Sequence, residues 1–359
     1  MHYRLVVACT ALVSAVFLSL SLQPAAAFQR GEVSAPKKID RVFFIMMENQ
    51  NFDEVIGRSV NNNAPPIQPA VTPYITFLAT NYGLATLYFG TTHPSLPNYL
   101  SLIGGSIYGI QDDNDSCAVV PAETPPTCHP LIKGQNLVDA LEANGKNWVA
   151  FEQSMPSIGY LGSRYPVSGP NKLYAMKHNP FVYFQDIVDN PARMAKIVPY
   201  TKPSDIAAVL GDPVKSPQFV FIAPDQCHDM HGTGECNGDP STAQPDPLYN
   251  ALLAEGDNHV RGLVQTITSS PAFTRNSIII VTWDEDDYFS STGCCLSPST
   301  GGGHIATIVI SGHQNGPLRS ATLYNHYSSL RTIELGMGLF PLLGNAASPS
   351  INGLWDLIP

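Results

Sequence analysis

Apolar positions gather in four short continuous runs rich in β-branched residues: Val42–Met47, Gln218–Ala223, Ser277–Trp283 and Ile305–Ser311. Runs of this length without alternation predict strands covered on both faces. Between and around them, apolar residues recur at helical spacing over Pro73–Asn81, Pro97–Ile103, Gln135–Ala143, Leu248–Ile267 and Tyr327–Gly336. Strands alternating with helices predict an α/β fold with a mostly parallel sheet. Ligands of such sheets bind beyond the carboxyl ends of the strands, so the polar residues that follow each strand become the site candidates. Residues 111–130 and 150–203 are rich in Pro, Asn, Ser and aromatics without periodicity, and read as long loops or small insertions. No repeat or linker divides the chain, and residues 28–359 read as a single domain.

Composition narrows the class. The 359 residues carry 19 Lys+Arg against 29 Asp+Glu, a formal net charge of −10, which disfavours nucleic acid as a partner. With 44% hydrophobic and only 13% charged residues the chain is expected to fold, and its 31 prolines point to ordered loops rather than long surface helices. Residues 1–27 begin with His2 and Arg4, continue through an apolar stretch from Leu5 to Leu20 and end at Ala25-Ala26-Ala27, the pattern of a cleaved secretory signal. No later stretch is long and apolar enough for an integral span, so the expected location is outside the cytoplasm.

Cys9 lies in the signal, leaving Cys117, Cys128, Cys227, Cys236, Cys294 and Cys295. An even count in an exported chain suggests disulfides, with short loops favouring Cys117 with Cys128 and Cys227 with Cys236. Cys294 and Cys295 remain for a vicinal bridge or for partners elsewhere. A cysteine metal site has less support, since no CxxC pair is present.

Four segments carry candidate chemistry. Glu48 and Asn49 follow the first strand, where a carboxylate beside an amide oxygen suits a hard cation or a phosphate, and equally a turn. In TTHPSLPNYL, Ser95 precedes a helix whose first amides and dipole favour an anion, although serine also serves there as a plain cap. His93, two residues earlier, is placed for the same anion. After the third strand, Asp284, Glu285, Asp286 and Asp287 follow one another, and such a run repels itself unless some members bind a cation or face water. Asp284 and Glu285 are nearest the sheet, and Asp286 and Asp287 read as the solvated pair. APDQCHDMHG sets Asp225, His228, Asp229 and His231 after another strand, a density suited to metal, phosphate or proton transfer. His304 and His326 are isolated, and lone histidines are more often structural.

The chain has no GxSxG elbow, P-loop, HExxH or GxGxxG, which removes support for lipase-type, nucleotide-hydrolysing, zincin and dinucleotide chemistry. A hydroxyl with acids and histidines at strand ends suits phosphoryl transfer, in which a cation and positive groups offset the transferred oxygens.

The ordered series ENQNFDEVIG, THPSLPNYL, PDQCHDMH, TWDEDD and NHYSSLRTIE, between Arg41 and Leu335, resembles the phosphoesterase family of secreted acid phosphatases and non-specific phospholipases C. It is most similar to the small secreted acid phosphatases, whose members include enzymes that dephosphorylate phosphoinositides. The phospholipase branch has TxPNR and DExxGxxDHV, which THPSLPNY and DEDDYFSSTGCC do not reproduce. The resemblance implies an alkaline-phosphatase-like three-layer α/β sandwich with a mostly parallel central sheet and long loop insertions. It further implies that Glu48 and Asn49 bind metal and phosphate, that Asp284 and Glu285 complete the metal site, and that Ser95 is the nucleophile. Asp229 and His231 match the DMH element and His326 the HYSxLRT element, so that either histidine is a candidate for phosphate contact or for protonating the leaving oxygen. An oxygen-rich set favours Mg, Ca or Mn over Zn, which the nearby histidines keep open.

The function expected is therefore a secreted, metal-assisted phosphomonoesterase acting on a phosphate-ester small molecule or lipid headgroup through a phosphoserine. A phospholipase C-type phosphodiesterase is the alternative, and a silent cation-binding surface protein is a third reading. A lipid would be reached through aromatic loops such as Tyr174–Phe184, which are equally readable as core.

Overall fold

Arg41–Met47 has seven buried residues in succession and forms β1, at the centre of the sheet. The computed structural model describes residues 35–56, 71–118, 128–169, 172–233, 236, 247–287 and 301–359. β1 lies between β7 (Phe219–Ala223) and β8 (Ser277–Trp283), both parallel to it. On the β7 side, β3 (Trp148–Gln153) and β6 (Ile197–Tyr200) continue the parallel ladder. On the β8 side, β9 (His304–Ser311) runs antiparallel, β2 (Gly83–Phe89) antiparallel to β9, and β10 (Leu318–Ser320) parallel to β2. The order is β10-β2-β9-β8-β1-β7-β3-β6, with a separate ribbon of β4 (Arg164–Tyr165) and β5 (Tyr174–Ala175).

The four runs of apolar residues are thus β1, β7, β8 and β9. β1, β7 and β8 are buried at every position, which requires cover on both faces, and the helices supply it in two groups. Ser95–Gly104, Leu137–Ala143 and His326–Met337 pack among themselves, as do Phe52–Ile56, Pro73–Asn81 and Pro247–Thr268. Each fully buried Ile, Val, Leu or Phe of these strands stabilises the fold by roughly 1.5–3 kcal/mol.

The expectation of loops over 150–203 needs correction. That stretch contains most of β3 and all of β6, together with the β4–β5 ribbon, and β2 likewise has no counterpart among the four apolar runs. β6 reads IVPY, and its proline is tolerated because the strand is at the sheet edge. β3 ends in Glu152 and Gln153, both buried, so polarity there does not mark a surface. Tyr174, Phe181, Tyr183 and Phe184 are all at most 2% exposed, and the aromatic segment is core rather than a lipid-facing loop. Both short-loop disulfides form, Cys117–Cys128 and Cys227–Cys236. Residues 1–27, Cys294 and Cys295 lie outside the described residues.

Register builds the site. Met47 pairs with Trp283 across the β1–β8 ladder, and Ile45 with Ile222 across β1–β7. Because all three strands run the same way, Glu48, Asp284 and the Asp225–Asp229 turn emerge together at one end of the sheet.

Candidate active site

Backbone hydrogen bonds hold the emerging segments together. Asp284 N–H donates to Met47 O at 3.0 Å, and Glu48 N–H to Asp229 O at 2.9 Å. Asn49 follows with φ 46°, a left-handed conformation that asparagine tolerates better than most residues. Its N–H donates to Asp284 Oδ1 at 3.1 Å. With its amide oriented as the neighbours require, its nitrogen donates to Glu48 Oε2 at 3.1 Å and Glu285 Oε1 at 3.2 Å.

Ser95 is the first residue of helix Ser95–Gly104 and is fully buried. Its Oγ lies 3.0 Å from Glu48 Oε2 and 3.2 Å from Glu285 Oε1, both in range to take its proton, and accepts from Lys177 Nζ at 3.1 Å. The loop that delivers it is fixed by Asn98, whose side chain accepts from Thr91 N and Thr92 N and donates back to Thr92 O. One turn on, Tyr99 OH donates to Glu48 Oε1 at 2.7 Å. His178 stacks on Tyr99 with ring centroids 5.5 Å apart, and its Nε2 lies 3.1 Å from the same Glu48 oxygen. His178 Nδ1 lies 3.5 Å from Asp229 Oδ2.

The sequence candidates therefore divide. Glu48, Asn49, Ser95, Asp229, Asp284 and Glu285 share one network. His231 joins it: its backbone N–H donates to Asp229 Oδ1 at 2.7 Å and its ring lies 6.3 Å from that of His178. His231 Nδ1 is engaged with Gly232 O at 2.8 Å. His326 stands behind the acids, fully buried, with Nε2 against Asp284 O at 2.6 Å and Nδ1 against Tyr88 OH at 3.3 Å. Burial lowers its pKa to about 4, so it is a neutral buttress at ordinary pH. His93 is held between carboxylates, Nδ1 on Glu285 and Nε2 3.2 Å from Asp286, rather than being left open to an anion. Burial opposes its charge, but Asp286 and Glu285 outweigh burial and raise its pKa to about 9. Asp225 and His228 pair with each other at 2.7 Å and make their further contacts with Ser154, Glu255 and His259. His304 stacks on Phe52 and lies tilted against Phe89.

Sequence reasoning missed Lys177, His178, Tyr99 and Asp113. The first two lie on a single 3-10 turn, Met176–His178, inside the stretch read as loop, and no spacing signal marks them.

Glu48, Asp229, Asp284 and Glu285 are each at most 1% exposed. Burial, then the neighbouring acids, pushes Asp284 and Asp229 well above the usual carboxylate range. Burial also raises Glu285, to about 7, despite the opposing His93. Lys177 stays charged although burial opposes it, because Glu48, Asp113 and Asp284 surround it. Lys177 and His93 are two cations against five buried acids, since Asp286, expected to be solvated, is also only 1% exposed and meets His93. Asp284 Oδ2 and Asp229 Oδ2 have no hydrogen-bond partner. Such uncompensated acids fit a hard divalent cation. Among the described residues no three His, Cys, Asp or Glu side chains form a ready-made cage. The fit thus rests on charge and donor type.

The family model for the phosphoesterase family matches residues 67–339. The chain belongs to the phosphoesterase family. Among relatives, a phosphate-repressible acid phosphatase of Penicillium chrysogenum is 28% identical over 308 residues, covering 85% of this chain and 60% of that protein. The chain spans about three-fifths of the fungal acid phosphatases it matches. A phosphatidylinositol-3-phosphatase of Mycobacterium tuberculosis is 28% identical over 326 residues, covering 90% of this chain and 85% of its own. Among solved structures, an alkaline phosphatase superfamily protein from Vibrio parahaemolyticus has TM-score 0.51 at 12% identity, covering 88% of this chain and 72% of its own. The lipoteichoic acid synthase LtaP from Listeria monocytogenes has TM-score 0.53 at 9% identity, covering 89% and 79%. At that identity the likeness shows the fold: this phosphoesterase has the alkaline-phosphatase-like α/β architecture.

Proposed function

We propose that this phosphoesterase is a secreted, metal-assisted phosphomonoesterase that works through a phosphoserine at Ser95. The observation that carries the reading is Ser95 Oγ itself: it sits at a helix N-terminus, between two carboxylates in range to take its proton and an ammonium. Helix N-termini favour anions, so a bound phosphate meets the nucleophile where the dipole helps.

In the first half-reaction Ser95 Oγ bonds to phosphorus and passes its proton to Glu48 or Glu285, while the ester P–O bond breaks and the leaving oxygen takes a proton. Of the two histidines, His231 is the better placed to give that proton, because it shares the network of Asp229 and His178 while both ring nitrogens of His326 are engaged behind the acids. Burial together with Lys177 lowers its pKa, so its proton-bearing form grows as the pH falls. Water then attacks phosphorus and gives one proton to the His231 ring that lost one in the first half. Oγ departs and takes its proton back from the carboxylate that received it. A divalent cation held by Glu48, Asp284 and Glu285, with the Asn49 amide turned to present its oxygen in place of its nitrogen, would supply positive charge to the phosphoryl oxygens. Asp229, bonded to the His231 N–H, orients that residue at the phosphate side.

Acid phosphatase relatives support monoester substrates, and the mycobacterial relative supports a phosphoinositide headgroup among them. Residues 1–27 would serve as the secretory signal of the single domain 28–359. The test is release of phosphate from p-nitrophenyl phosphate by residues 28–359, after chelation and with Mg, Ca, Mn or Zn restored, beside a diacylglycerol assay on phosphatidylcholine. Phosphate restored by one metal without diacylglycerol supports the monoesterase. Diacylglycerol without monoester turnover moves the protein to phospholipase C chemistry, and Ser95→Ala with full turnover removes the nucleophile.

A further inference from the structure

Lys177 is tied to the nucleophile's helix twice. Its Nζ donates to Ser95 Oγ and to Asp113 Oδ2, each at 3.1 Å. The other oxygen of Asp113, Oδ1, accepts the N–H of Leu96, the residue after the nucleophile, at 3.0 Å. Ser95, Leu96, Asp113 and Lys177 thus close a ring in which one carboxylate grips both the helix start and the ammonium. We propose that Lys177 is a catalytic residue of phosphoryl transfer and that Asp113 is the positioning residue that holds it on Ser95 Oγ. The proposal rests on Ser95 being the nucleophile.

The physical need is local. The other groups facing Oγ, Glu48 and Glu285, are acids, and an attacking alkoxide and an incoming phosphate both raise the negative charge there. An ammonium in contact with Oγ offsets that charge at the reacting atom, where a fixed donor is most effective. During attack the Oγ–P bond forms, the ester P–O bond breaks with its electron pair going to the leaving oxygen, and the Oγ proton moves to Glu48 or Glu285. Lys177 keeps all three of its protons. When water later attacks phosphorus, the Oγ–P electron pair returns to Oγ beside the same ammonium. One cation therefore serves the attacking oxygen of the first half and the leaving oxygen of the second, and its loss slows both.

The ring gives Asp113 a distinct task. Its oxygens are bonded to Lys177 and to the Leu96 N–H, and its effect on Oγ travels through Lys177. A purely structural Asp113 would lower the melting temperature without slowing folded enzyme, whereas a positioning Asp113 lowers kcat in a folded protein and leaves KM nearly unchanged.

The experiment compares Ser95→Ala, Lys177→Met, Lys177→Gln, Asp113→Asn and the unaltered enzyme on p-nitrophenyl phosphate. It reads steady-state kinetics, the single-turnover rates of phosphoenzyme formation and breakdown, and thermal midpoints. Folded Lys177→Met is expected to lose about 10²–10³-fold in kcat, with both half-reactions slowed, in the range for loss of one preorganised donor. Lys177→Gln keeps a donor for Asp113 without the charge, and it reads the same loss if the methionine variant does not fold. Asp113→Asn keeps an acceptor for Leu96 and is expected to lower kcat about tenfold, with KM changed less than about threefold. If Ser95→Ala is inactive while a folded Lys177 variant turns over within about threefold of the unaltered enzyme, the proposal is overturned and the nucleophile stands. If Ser95→Ala stays active, the nucleophile reading fails first.

Discussion

Tyr99 and Ser95 grip opposite oxygens of one carboxylate: Tyr99 OH meets Glu48 Oε1 at 2.7 Å and Ser95 Oγ meets Oε2 at 3.0 Å. The two residues are four apart on one helix face, so the helix that carries Ser95 also orients the acid nearest to it. Tyr99→Phe removes one donor from a fully buried acid. The expected cost is about 1–3 kcal/mol of stability, the penalty for a buried group left short of a partner. A thermal midpoint equal to that of the parent, with unaltered kcat, would show that Glu48 needs no such grip.

Much of this site is legible in the chain because its acids lie next to apolar runs. Glu48 follows β1 and Asp284 follows β8 directly, and a strand reading places such residues at the ligand end of the sheet. Lys177, His178 and Asp113 are of another kind. They sit on irregular backbone whose place depends on what packs beneath it, the buried Tyr174, Phe181 and Phe184 among others. Local sequence cannot report that a 3-10 turn between a two-residue strand and Asn179 returns to Ser95. The histidines make the same point: His326 and His231 look alike as motifs, and only burial and the Asp284 carbonyl separate them.

That separation predicts different losses. His231→Gln is expected to lower kcat by about 10²–10³-fold with little change in melting, as for a general acid. His326→Ala leaves the Asp284 carbonyl without its ring partner in the core and is expected to cost about 1–3 kcal/mol, with the smaller kinetic defect. Kinetics and melting curves on both variants decide; the reverse assignment of defects would make His326 the proton donor.

Charge in the site predicts how cation binding and stability are linked. Asp284 Oδ1 accepts the Asn49 N–H, while Oδ2 has no hydrogen-bond partner in a cluster of acids. Asp284→Asn keeps an acceptor and removes a negative charge. The chelated variant is expected to melt above the chelated parent, and added Mg, Ca or Mn is expected to raise its midpoint less than the parent's, because a folded state that binds the cation more weakly is stabilised by it less. Equal cation-induced shifts in the two proteins would remove Asp284 from the ligand set.

Outside the network of strand-end acids, Glu334 in helix His326–Met337 carries a pH dependence of its own. It is fully buried, Oε1 accepts Leu343 N–H at 2.9 Å, and Oε2 has no hydrogen-bond partner. Burial raises its pKa from 4.5 to about 8, outweighing the Leu343 bond and Arg331, which both lower it. The folded chain therefore holds a proton that the unfolded chain releases, so this group's stabilisation is full below about pH 4.5 and is lost as the pH rises through about 8. The slope within that window is at most roughly 1.4 kcal/mol per pH unit. Glu334→Gln keeps the acceptor for Leu343 and cannot ionise. Its midpoint should match the parent's near pH 4.5 and exceed it by a margin that widens toward pH 8. Parallel melting curves across that range would mean that Glu334 is already ionised in the fold, with its charge met by Arg331.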